Sequence, residues 1–392
     1  MRLDGQRILV AGGATAGVAT ALLLARSGAR VTLCERVEEP RAVGAGLALA
    51  PNGWAVLGAL GLAAELEPLA VPVTRPRIVD AAGRTLLEPG LAGIDDPVPA
   101  RVVRRADLQR VLLGAAACEP GIAARFGVEL VLADADGRAL LRGAHGESEE
   151  SFDLVVGADG VGSAVRTPVD FGARRRPTGI SYLRGLIDAE HDVGAEAWTA
   201  AGLFGIFRVP RGTYFFASLG TPALRRALAA RDLGALRAIW GEALPAAAPI
   251  LAAVDSFDRL LVNEVVEIRC RWFHSGRRVL VGDAAHAMAP NLGQGANSAL
   301  VDAAVLAAEL VRATTLDAAL AAFTARRLPA VTRVQRTSAR LGRLAEQTSP
   351  AVRWLRDRLL LPLAARLSGP RGTRELLQEP LERLRDPLGT GA

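Results

Sequence analysis

Short apolar runs separated by glycine-rich turns open the chain. Arg7–Val10 reads as a buried strand and runs into Gly12-Gly13-Ala14-Thr15-Ala16-Gly17. Beyond that turn Val18, Ala21, Leu22 and Ala25 fall at the spacing of one helical face, which predicts a helix through Ser27. Gly28 stands where that helix ends, and Arg30–Cys34 forms a second apolar strand closing on Glu35. Two later tracts repeat the strand-then-turn pattern. Asp153-Leu154-Val155-Val156 leads into Gly157-Ala158-Asp159-Gly160, with a further helix expected from Ser163–Arg166. Arg278–Val281 leads into Gly282-Asp283, a loop containing Pro290, and Gly293-Gln294-Gly295 at the start of a long helix. Between these tracts the period changes. Gly179–Asp188, Leu203–Val209 and Thr213–Leu219 are shorter alternating runs with polar turns between them, as in a mostly antiparallel sheet. From Ala351 the pattern is helical, interrupted at Pro362 and Pro370.

The first strand, turn, helix and strand make a βαβ dinucleotide unit. Gly12 serves the tight turn, Gly17 the close helix contact, and Glu35, with Arg36 beside it, supplies an acid for a ribose. The middle glycine of the G-x-G-x-x-G pattern is replaced by Ala14, whose methyl narrows backbone access to a pyrophosphate. In the third tract Asp283, at the end of a strand, can hold a polyol, and the free N–H groups of the helix start can hold an electron-rich ring. The Asp159 turn alone reads equally well as a strand-to-helix turn capped by Asp or Ser.

Taken in order, the three tracts resemble the FAD-dependent monooxygenases related to p-hydroxybenzoate hydroxylase, over roughly residues 5 to 330. The resemblance implies an α/β fold: a Rossmann-like FAD-binding domain built from residues 1–70, 100–173 and 266–345. A mostly antiparallel β-sheet substrate domain (71–99 and 174–265) is inserted into it, and a C-terminal helical region (346–392) follows. It implies non-covalent FAD held by Gly12, Ala14, Gly17, Glu35 and Arg36 and braced by Asp159. Arg105 would reach the pyrophosphate side, with Arg104 as the alternative contact, and Arg41 would sit in a mobile flavin loop, Pro40–Gly46. Asp283 would take the ribityl chain and Pro290 would wall the reacting edge. Gly293, Gly295, Ala296 and Asn297 would meet the flavin ring. NADH or NADPH would dock transiently, and O2 would form a flavin C4a-hydroperoxide that passes one oxygen to an aromatic or polyketide-like small molecule. Substrate would lie between Pro290–Leu292 and the sheet, where Tyr182, Arg184, Phe204, Phe207, Tyr214 and Phe216 are candidates. His286 and Asp302 are read as structural. An oxidase, reductase or epoxidase on the same scaffold is the alternative chemistry. A nucleotide-binding protein without redox activity is the alternative of another class.

Composition narrows this further. All 47 basic residues are arginine, so no Schiff-base or lysine-ammonium mechanism is available. A small excess of guanidinium groups that do not titrate also explains the pI of 10.3. No aromatic-interleaved basic patch is visible, so no nucleic-acid partner is expected. Cys34, Cys118 and Cys270 are far apart and form no C-x-x-C pair, which argues against a disulfide framework or zinc site; no metal is expected. The chain enters its first strand without a signal peptide, and its apolar runs stop short of the ~20 residues of a membrane span. These features lead to the expectation of a cytoplasmic enzyme.

Overall fold

The computed structural model describes residues 3–39, 45–88, 99–191, 193–363 and 375–389. Arg7–Ala11 lies at the centre of a six-stranded sheet, between Arg30–Glu35 and Leu154–Gly157. Ile122–Phe126 and Arg278–Leu280 extend it in parallel on either side, and His274–Ser275 closes one edge antiparallel. Ile8, Leu9, Val10 and Ala11 are all buried, so both faces of the central strand are covered, as its unbroken apolar run requires. The helices Thr15–Arg26 and Gly295–Arg312 pack against one another beside it.

A seven-stranded sheet runs in the order 261–269, 174–187, 212–218, 203–209, 195–198, 77–79, 85–87. Its neighbours are antiparallel except Ala195–Trp198 against Arg77–Val79. Three helices (Pro222–Ala229, Leu233–Ala243 and Ala247–Ala252) contribute to a core on one face, where Phe204, Phe215 and Trp240 meet. Ala70–Val73, at the expected 70/71 boundary, belongs to neither large sheet. It pairs with Ala100–Arg104, which also pairs with Gly46–Leu49.

Two local expectations need correction. Ser163–Arg166 starts no helix; a short 3-10 turn, Gly160–Gly162, precedes it and the next helix is Pro168–Phe171. The Asp159 and Ser163 side chains accept from the N–H groups of Ala164 and Arg166, and Pro168 disfavours a helical residue before it. At the C-terminal end, Pro362 does not interrupt the helix, which continues to Leu363. The turn just before it, Arg356–Leu360, is widened to a π-helix, which relieves the clash a proline ring makes in a regular turn. Pro370 lies outside the described residues.

Candidate active site

The first glycine turn is closed by backbone contact. Gly12 has φ +107°, and a Cβ there would lie 2.4 Å from the Ala158 carbonyl oxygen; one on Gly17 would lie 1.8 Å from that of Gly12. Only a bare α-carbon fits either place. Ala14, at the helix N-cap, is exposed and offers no side-chain cap, so the first-turn N–H groups lack helical acceptors. The Glu35 carboxylate accepts from the N–H of Gly13 at 2.7 Å and of Val37 at 3.0 Å. Gln109 donates from Nε2 to the Gly13 carbonyl at 2.5 Å. That brace had no sequence signal, since 96 residues separate its ends. Arg36 is exposed, and Arg41 lies outside the described residues.

The third tract packs directly on the first. Gly282, in a left-handed turn with φ 59°, comes so close to Ala16 that an added Cβ would lie 3.0 Å from the Ala16 methyl. Asp283 follows, reachable by solvent yet ringed by protein, which places it in a recess. Burial raises its carboxyl above the usual range, opposed by His286 and Arg105. Asp159 accepts from Ala164 N–H at 2.6 Å through Oδ2, while its buried Oδ1 has no partner. Arg166 joins the second and third tracts by donating to the Ala284 carbonyl at 2.7 Å.

Beneath Gly282 lies a buried ionic network. Asp302 accepts from Gly282 N–H at 2.8 Å and from Arg327 Nε at 2.7 Å, and sits 2.6 Å from His286 Nε2. Burial would raise the Asp302 carboxyl, but His286 and Arg327 outweigh it and hold it below the usual range. His286 and Asp302 therefore fix the turn from below, the structural part expected of them.

Pro290–Leu292 forms a short turn, Gly293 follows with φ 61°, and the helix Gly295–Arg312 starts without a side-chain cap. Gly295 and Ala296 are partly open at this end. Asn297 follows in the first turn of that helix. It is fully buried, donates to the carbonyls of Ala48 and Gly293, and accepts from Ala50 N–H. Its amide is spent on fastening the Gly293 turn to the Gly46–Leu49 strand.

The seven-stranded sheet meets these turns with one face. Register puts Tyr182, Arg184, Phe207, Tyr214 and Phe216 on that face. Asn291 donates to the Tyr182 hydroxyl at 3.0 Å, and a Cβ on Gly46 would strike the Tyr214 ring at 2.4 Å. Both phenols are raised above their ordinary range by burial and stay neutral; Arg184 opposes the shift at Tyr214. Phe204 is the exception among the candidates. It pairs with Ala217 and points to the opposite face, stacked on Phe215 and edge-on to Trp240.

Sequence reading missed Glu196, which lies near Tyr182. Burial pushes its carboxyl up to about 7, helped by the nearby Glu346 and opposed by the Trp198 Nε1 donor at 2.6 Å. The folded protein thus keeps a proton that the unfolded chain releases from about pH 4.5 upward, so this group's stability contribution falls from there to about pH 7 and is flat above. The Glu196→Gln variant should lose that decline, gaining about 1–3 kcal/mol relative to the parent between pH 5 and 8. Parallel thermal-midpoint profiles for the two proteins would contradict this.

Two adjoining turns, an uncapped helix start at each, an accessible Asp283 and an unpartnered Asp159 oxygen suit a ligand with a pyrophosphate, a polyol and a flat polar ring. The family model for an FAD binding domain matches residues 6–338. The aurachin C monooxygenase/isomerase of Stigmatella aurantiaca is 28% identical over 96% of this chain and 99% of its own length. A 3-amino-4-hydroxybenzoate 2-monooxygenase of Streptomyces platensis is 32% identical over 92% of this chain and 93% of its own. The crystal structure of Klebsiella pneumoniae HpxO complexed with FAD and uric acid superposes with a TM-score of 0.76 at 25% identity, covering 98% of this chain and 95% of that one.

Proposed function

This chain belongs to the FAD-dependent aromatic monooxygenases related to p-hydroxybenzoate hydroxylase, and from that membership we propose that it oxygenates a small hydroxylated aromatic molecule at the expense of NADH or NADPH. The observation that carries the reading is the single sheet face of Arg184, Tyr214 and Phe216 set against both the Gly46 strand and the Pro290 turn. FAD, when bound, supplies electron storage and the activation of O2. The protein supplies position. Gly12 and Gly17 fold the turn tightly, so that the first-turn N–H groups beside Ala14 would reach the pyrophosphate; Arg105 would offset its charge, and Glu35 would take the ribose. Asp283 accepts from the ribityl hydroxyls, and Asp159 braces the turns between them. The N–H groups of Gly295 and Ala296, left without a side-chain cap, would meet the ring's electron-rich edge, where a helix terminus contributes ~0.3–2 kcal/mol. Pro290 and the apolar rings of the sheet keep water from the reacting edge.

Tyr214, Arg184 and Tyr182 are the polar groups on this face that would orient a substrate oxygen; Arg184 also holds Asn263 and the Tyr214 hydroxyl, and Tyr182 accepts from Asn291. The Tyr214→Phe variant should keep its flavin and divert a larger share of NAD(P)H oxidation into H2O2; full coupling with unchanged substrate affinity would assign recognition elsewhere. The reaction class is tested with 18O2 and an accepted aromatic substrate. One labelled atom in the product, with the other in water, supports monooxygenation. Unlabelled product would mark an oxidase or reductase instead.

A further inference from the structure

The C-terminal helical region carries the largest collection of exposed apolar side chains. Of the ten large apolar residues exposed among the described residues, six fall between positions 352 and 363: Val352, Trp354, Leu355, Leu359, Leu360 and Leu363. Trp354 is 62% exposed and Leu363 55%. The segment is firmly seated. Arg356 is fully buried, donates to the Leu344 carbonyl at 2.9 Å and stacks 5.1 Å from the Trp198 ring, while Leu361 is buried beside Ala345. The seating side is satisfied, yet the outward side is leucine and tryptophan rather than polar.

The helix leading into this segment, Leu316–Ala345, adds charge. Arg333, Arg336, Arg340 and Arg343 are all exposed at helical spacing along one stripe. Arg333 pairs loosely with Glu375; among the described residues no carboxylate pairs with Arg336, Arg340, Arg343, Arg353 or Arg358. From residue 333 to 363 the chain has seven arginines and two acids. Of those two, Asp357 is paired with Arg356 and Glu346 is turned toward Ser218. Along the chain, an exposed basic row thus leads into an exposed apolar segment.

We propose that this face docks on an anionic lipid surface, with the 352–363 side chains entering the headgroup region and the arginine row above the lipid phosphates. Exposed tryptophan and leucine beside guanidinium groups, on a helix too short to span, is the composition of an interfacial helix. None of the described helices is long and apolar enough to cross a membrane, so the mode is lying on the surface. A second copy of the chain fits less well. Two copies would bring like-charged arginine rows together.

The test is co-sedimentation of the flavin-loaded protein with vesicles of phosphatidylcholine alone and of phosphatidylcholine with phosphatidylglycerol, at low and high salt. Binding at least tenfold tighter to the anionic vesicles, weakened by salt, is expected. The Leu359→Ser/Leu360→Ser double variant should lose at least tenfold. The Arg336→Gln/Arg340→Gln variant should also lose at least tenfold, at about fivefold per arginine. Both variants alter exposed side chains, and unchanged flavin content reports that they are folded. Equal or absent binding to the two vesicle types overturns the proposal. So does native-like binding by either variant, or a concentration-dependent dimer that the leucine variant dissolves without any vesicle binding.

Discussion

Replacing Arg327 with methionine is expected to lower stability by about 3–5 kcal/mol, the cost of stranding a buried charge. Arg327 and Asp302 are both fully buried, joined at 2.7 Å. Arg327 also donates to the Ser298 carbonyl and to Gln378, tying two segments of the chain to the helix that follows the Gly293 turn. Without the guanidinium, Asp302 keeps Gly282 N–H and His286 but loses one of the two positive groups that hold its carboxyl below the usual range. The thermal midpoint should fall by roughly 4–6 °C. Because the same carboxylate fixes the Gly282 turn, flavin retention should fall with it. A drop of only a degree or two, with full flavin content, would mean that Asp302 is satisfied without Arg327.

The parts of the molecule visible in the sequence are those whose cause is local. Gly12 and Gly17 announce themselves because a methyl at either position collides with backbone only a few residues away or in the neighbouring strand. The first strand, helix and second strand follow from apolar runs of the right period, and they appear at Arg7–Ala11, Thr15–Arg26 and Arg30–Glu35. Phe204 lies on the face opposite to the expected one because Leu203–Val209 is apolar on both sides, and period two cannot orient such a strand. Its pairing with Ala217 decides the matter, through contacts 13 residues away. Asn297 sits in a legible motif, but the partners of its side chain, Ala48 and Ala50, lie nearly 250 residues back, so that fastening has no sequence signal. Gln109, Arg327 and Glu196 give no signal at all. A lone polar residue at an apolar position becomes informative only when the fold supplies its partner.

The assignment of the recess beside Asp283 as the flavin site is the claim on which the rest depends. Asp283 follows a left-handed Gly282 that rests against Ala16 of the first glycine turn, and the charge of Arg105 favours its ionised form. A carboxylate there would accept hydrogen bonds from a polyol, worth ~1.5–3 kcal/mol for a charged acceptor. The direct test is equilibrium titration of apoprotein with FAD, native against Asp283→Ala, with circular dichroism to establish that both are folded. The account predicts an affinity about 10- to 100-fold weaker for the variant; an unchanged affinity in a folded variant would contradict it.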